Sequence, residues 1–128
     1  MNNLNIDRKW KIGSWLRTKL LDITTNVFPV VAPENTKGDV IVYRRSALER
    51  SQSHIGYYED TVYYDIVIIS DSYDRSAEIA EKVDDALSGN FADEAGKRFV
   101  SNISGGYEDY QDGKYYNVNT FKIYYVNK

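Results

Sequence analysis

The chain holds few residues able to do chemistry, and the densest group is basic. Arg44, Arg45 and Arg50 stand close together, a spacing that could grip phosphates. Glu49 interrupts them, and 16 Lys+Arg against 19 Asp+Glu give a net charge of −3, which argues against general nucleic-acid binding. Ion pairing with a neighbouring subunit, or plain hydration, suits such a mixed cluster better. The single histidine, His54, has no triad partners or zinc-ligand pattern around it. Carboxylates fall in small groups: Asp71 with Asp74, Asp84 with Asp85, and Glu108-Asp109 with Asp112. The run Asp109-Tyr110-Gln111-Asp112-Gly113 has too few spaced acids for a calcium loop. Asp84-Asp85 could serve as general acid and base only inside a pocket, and a solvated helix side is the expectation. Gly105-Gly106 lacks the further glycines and the Lys-Ser/Thr step of a phosphate loop. With no cysteine, disulfides and thiolate metal sites are excluded. The expectation is a protein that is not an enzyme and holds no metal or cofactor.

The elements that must position these residues centre on Thr61–Asn90. Val62 to Ile69 alternates so that Val62, Tyr64, Ile66 and Ile68 share one face and Tyr63, Asp65, Val67 and Ile69 the other. Both faces are largely apolar, so an inner strand covered on both sides is expected. Ser72 or Asp74 then caps a helix with the stripe Ser76, Ala80, Val83 and Leu87, Ile79 beside it, and Gly89 ends it. Upstream, Asp7–Asp22 reads as a first helix through Ile12, Leu16, Leu20 and Ile23, with Trp15 alongside. Thr24–Val31 reads as a short extended piece kept at an edge by Pro29, and 32–39 as a polar turn. Val40–Tyr43 is a strand that can run on through the charged residues to Arg50. Ser51–Asp60 reads as a flexible hairpin loop. Downstream, Phe91–Lys97 is read as a link and Arg98–Ser104 as a strand. Gly105-Gly106 allows a bend, Asp112-Gly113 a tight turn, and Tyr115–Val126 a last long strand. The expected core is Leu16, Leu20, Val42, Ile66, Ile68, Ala80, Val83, Leu87, Phe121 and Ile123. The whole, residues 1–128, is expected to be a single α+β domain. Its order is α-β-β-β-α-β-β, with two helices packed on a mainly antiparallel sheet of about five strands.

The composition is that of a globular chain, 42% hydrophobic and 27% charged. No stretch approaches membrane-spanning length and no signal-peptide core opens the chain, so a soluble cytosolic protein is expected. Tyrosine is the unusual feature: 12 Tyr against 4 Phe and 2 Trp. Doublets at 57–58, 63–64, 115–116 and 124–125 would send one ring to each face of a strand. They suit either β-propensity in a small sheet or half-wet subunit contacts.

Val30-Val31-Ala32-Pro33-Glu34-Asn35-Thr36 leads into Val40-Ile41-Val42-Tyr43. Later come Ile66-Val67-Ile68-Ile69-Ser70-Asp71-Ser72-Tyr73-Asp74, the helix with Ala80, Val83 and Leu87, and the hairpin Tyr107–Tyr116. This order resembles the small tail-completion, or tail-terminator, proteins of long-tailed bacteriophages and prophages, from about Asp7 to Val126. Its motifs are structural, and none is a catalytic signature. Gly38-Asp39 departs from the aromatic or proline residue that precedes the strand in that family. The resemblance implies a structural, non-enzymatic minor tail protein that caps the tail tube and joins it to the head. It implies a ring, typically of about six copies, contacting the tube protein and head–tail connector proteins. It implies no small-molecule substrate, no membrane and no specific nucleic acid. Assembly would take place in the host cytoplasm, and the final location would be the virion tail. Another small head–tail connector or adaptor is the alternative.

A subunit contact is expected at Arg44, Arg45, Glu49, Arg50, Tyr57 and Tyr58. The apolar strand turns abruptly charged at Arg44, so the residues beyond Tyr43 cannot enter the chain's own core. Mixed charges would set register, and the tyrosines would supply contact area. A mobile solvated loop is the alternative.

Overall fold

The computed structural model describes residues 4–34, 36–52, 58–93 and 96–126. Helix α1 (Leu4–Leu21) is followed by strands β1 (Val27–Pro29), β2 (Val40–Gln52) and β3 (Tyr58–Ser70). Helix α2 (Tyr73–Leu87) then leads into β4 (Gly89–Ala92), β5 (Arg98–Gln111) and β6 (Lys114–Tyr125). All strands join one sheet of six in the order β1-β2-β3-β6-β5-β4.

The expected mainly antiparallel α+β sheet of about five strands is corrected on two counts. Among the described residues there are six strands, and the sheet is mixed, because β1 runs parallel to β2 from Val27↔Ile41 to Pro29↔Tyr43. The order is therefore α-β-β-β-α-β-β-β. The missed strand, β4, lies in what reads as the helix end and a link. Gly89 stands just past the extended C-cap Ser88 with the positive φ expected of it, 134°, and it also opens β4 directly. Four residues with Phe91 as their one large apolar side chain carry no periodic signal.

The long central strand behaves as its alternation demands. Val62, Tyr64, Ile66 and Ile68 face both helices, in one core with Ile12, Leu16, Leu20, Ile41, Ile79, Val83, Leu87, Phe99, Phe121 and Ile123. Ile12, Leu16 and Leu20 recur every fourth residue, so a single stripe of α1 enters this core. Each such aliphatic side chain contributes about 1.5–3 kcal/mol on full burial. Val42 is buried as expected but on the opposite face, in a smaller cluster with Val40, Val67 and Val118. Among the described residues no helix joins that cluster; Phe28, Ala32, Ile69 and Tyr116 pack around it. Ala80 is half-buried, and the other expected core residues are fully or almost fully buried.

Ser72 caps α2, its Oγ accepting from Arg75 N at 3.2 Å. At the other end of the sheet, β5 carries a bulge between Ile103 and Gly105. Just beyond it, a Cβ on Gly106 would collide with the backbone carbonyl of Val118 and press on Asn119. A backbone obstacle cannot rotate aside, so Gly106→Ala is expected to cost about 1–3 kcal/mol. Urea melts of the two proteins check it, and equal midpoints would show that the strands separate freely there.

Candidate assembly interface

Beyond Tyr43, β2 leaves the core but keeps pairing with β3, register by register, from Arg44↔Asp65 to Gln52↔Tyr58. The segment expected as a hairpin loop, Ser51–Asp60, is therefore paired strand on both sides of residues 53–57. Arg44 lies over Asp65, Nε to Oδ2 3.7 Å, and Asp65 Oδ1 accepts from Thr120 Oγ1 at 2.7 Å. Glu49 accepts from the Tyr63 hydroxyl at 3.2 Å. Arg45 is exposed on the helix side, opposite Tyr64. Burial raises the Tyr64 phenol above its ordinary pKa, with the Arg45 charge opposing. Arg44, Arg45 and Glu49 thus stand together on one strand. For Arg50 and Tyr58 only the backbone is described, and Tyr57 and His54 lie outside the described residues.

A second projecting end, missed in the sequence as a site, is built by β5 and β6. Every residue of β5 from Asn102 to Gln111 is exposed. Tyr73 at the start of α2 donates its hydroxyl to both Glu108 oxygens, at 3.0 and 3.1 Å. That hydrogen bond, with the Glu108 charge, raises the Tyr73 phenol above its ordinary value. Tyr115 meets Tyr73 edge-on at 5.7 Å and Tyr110 at 4.7 Å. Together with Ser76 and Tyr116 these side chains line an open cavity of about 350 Å³. A neighbouring groove of about 420 Å³ runs between α2 and β5, floored by Gly105, Gly106, Asn117 and Asn119. Among the described residues no group of three His, Cys, Asp or Glu could hold a metal ion. The available signal was a tight Asp112-Gly113 turn flanked by Tyr110 and Tyr115. Its aromatic partner Tyr73 is far away in sequence.

Asp39 ties the base of β2 to the start of α2. It accepts from Ser70 Oγ at 2.7 Å and from Arg75 Nη2 at 2.8 Å and Nε at 3.1 Å. Burial alone would raise its carboxyl, but the hydrogen bonds from Ser70 and Arg75, with the charges of Arg75 and Lys114, outweigh it. The net pKa lies below the ordinary 3.8. A depressed folded value means the contribution is present above the unfolded pKa and is lost as pH falls through the folded one. Wild type is therefore expected to lose stability below about pH 4 more steeply than Asp39→Asn. Urea midpoints between pH 2 and 7 check this, and parallel acid limbs would rule it out.

No family model and no curated protein matches the sequence. The fold is another matter. It is shared with a chain of a gene transfer agent virion. The match, to the virion of a native gene transfer agent particle, has a TM-score of 0.71 and covers 88% of this chain and 92% of that one, at 14% identity. A second solved chain matches with a TM-score of 0.62 over 98% of this chain and 94% of its own, at 10% identity. At these identities the likeness is one of fold.

Proposed function

We propose that this chain is a structural protein of a phage-type particle. Within that particle it closes the head-proximal end of the tail tube, as a ring of copies, and presents the surface that the head joins. The observation that carries the coarser reading is the fold shared over 88% of the chain with a component of a gene transfer agent virion. The finer reading is supported by the sequence resemblance to tail-completion proteins and by two charged, projecting strand ends. Its partners are then other copies of itself, the tube protein and the head-side connector, and its role is non-enzymatic. It assembles in the host cytoplasm and remains in the tail. Subunit contacts fall on Arg44, Arg45, Glu49, Arg50, Tyr57 and Tyr58.

Gold-labelled antibody against the chain, applied to purified particles, tests this. Label at the junction of head and tail is the expected result. Label along the tube, at the distal tip or on the capsid alone would refute the capping role, and label confined to the head side of the junction would favour a connector.

A further inference from the structure

Both edges of the sheet carry a long stretch unpaired among the described residues. On one side, β1 covers β2 only from Ile41 to Tyr43, leaving Arg44–Gln52 open. On the other, β4 covers β5 only from Arg98 to Ser101, leaving Asn102–Gln111 open. Open strand edges are templates for another strand. These two are nearly equal in length and opposite in charge. The first holds Arg44, Arg45 and Arg50 against Glu49, whereas the second holds Glu108 and Asp109 with Asp112 just beyond, and no basic residue.

We propose that the open edge of β2 pairs antiparallel with the open edge of β5 of a second copy. The partner is thus another molecule of this chain, joined head to tail; the inference rests on the ring reading above and names its contact.

Direction follows from topology. β2 runs opposite to β3, β3 to β6 and β6 to β5, so β2 and β5 point opposite ways. Arg44 is level with Gly105 within one sheet, so a partner offset by four residues needs strands inclined to the rotation axis. Such a rotation keeps the sense of the strands, β5 of one copy meets β2 of the next antiparallel, and the heterologous contact makes a ring where the rotation closes.

Register follows from charge and face. Arg44 lies opposite Asp65 on the face away from the helices, and Asp109 lies opposite Tyr116 on that same face. Setting Arg44 against Asp109 places Arg45 against Glu108, both on the helix side. Each free stretch carries one bulge, at Arg45/Ala47 and at Ile103/Gly105. The two offsets cancel, so the faces stay matched along the whole contact. Ala47 then meets Tyr107, and Leu48 passes over Gly106. The contact covers Leu48 and Ile103, which are 39% and 44% exposed in the lone chain. Arg44 ends between Asp65 and Asp109, and Glu108 between Tyr73 and Arg45.

The test uses two variants of the full chain, Arg44→Glu/Arg45→Glu and Glu108→Lys/Asp109→Lys, with mass measured at the concentration where wild type forms rings. Each alone should lose assembly at least about tenfold, since like charges then face each other. An equimolar mixture should assemble again, because each copy's altered edge now matches the other's. Unimpaired single variants, or a mixture that stays dissociated, would overturn the pairing. A second arm is independent of charge. Opposite residues in an antiparallel pair lie about 4.5–5.5 Å apart, within disulfide reach, and the chain has no cysteine of its own. Ala47→Cys/Tyr107→Cys in one chain should oxidise to a ladder of multimers, while either substitution alone should stay monomeric. Dimers from a single substitution, or no ladder from the pair, would overturn it. Wild-type rings without a ladder defeat only the edge pairing; wild type absent from the head–tail junction defeats the functional reading.

Discussion

Phe121→Ala is expected to remove about 3–5 kcal/mol of folding stability. Phe121 is fully buried and lies between Tyr64 of β3 and Ile103 of β5, on the sheet face that carries both helices. It belongs to the core that also takes in Leu16 of α1 and Val83 of α2. Truncation there leaves a cavity that two helices and three strands would have to collapse together to fill. A domain of this size typically holds about 5–15 kcal/mol in total, so the variant should be marginal at ambient temperature. Urea melts with wild type alongside measure it. A loss below about 1 kcal/mol would mean that the aromatic ring is not the centre of the packing.

Arg45→Glu combined with Arg50→Glu is expected to leave the fold intact and to lower self-association about a hundredfold. Arg45 is exposed, and exposed substitutions of this kind usually change stability by no more than about 0.5 kcal/mol. The same reversal leaves Arg44 as the one basic residue of the strand, with three acids beyond it counting Glu49. A partner surface selected for basic residues would then meet repulsion, which acts on association and specificity more than on the fold. Sedimentation at high protein concentration reads the association, and restoration of particles lacking the chain reads the function. Normal assembly by the double variant would remove the β2–β3 end from the contact.

The long periodic elements were readable from the sequence because their signal is local. Val62–Ile69 alternates over two largely apolar faces, and α2 has a capping Ser72 and a stripe at helical spacing. β4 was not readable, since Gly89–Ala92 is ordered by pairing with Arg98–Ser101 rather than by its own pattern. The parallel pairing of β1 was hidden for the same reason: three residues do not reveal which neighbour they choose. Val42 was correctly read as buried, but burial does not say on which face, and a two-faced sheet has two cores. The expected loop at 51–60 fails at 51–52 and 58–60, because loss of apolar residues is not loss of strand; 53–57 lie outside the described residues. Backbone pairing with β3 continues well after the side chains leave the core.

The candidate site divides along the same line. Arg44, Arg45 and Glu49 were identifiable as a charged extension of a strand. Glu108 and Asp109 read as turn acids, because the freedom of the β5 edge depends on where β4 stops pairing. That is a long-range fact, as is the placing of Tyr73 against Glu108 from the start of α2.

The most direct measurement is electron microscopy of particles made with and without this chain. The account predicts unjoined heads, and tails of uncontrolled length, when the chain is missing, with joined particles restored when it is supplied. Complete, normally joined particles formed in its absence would contradict it.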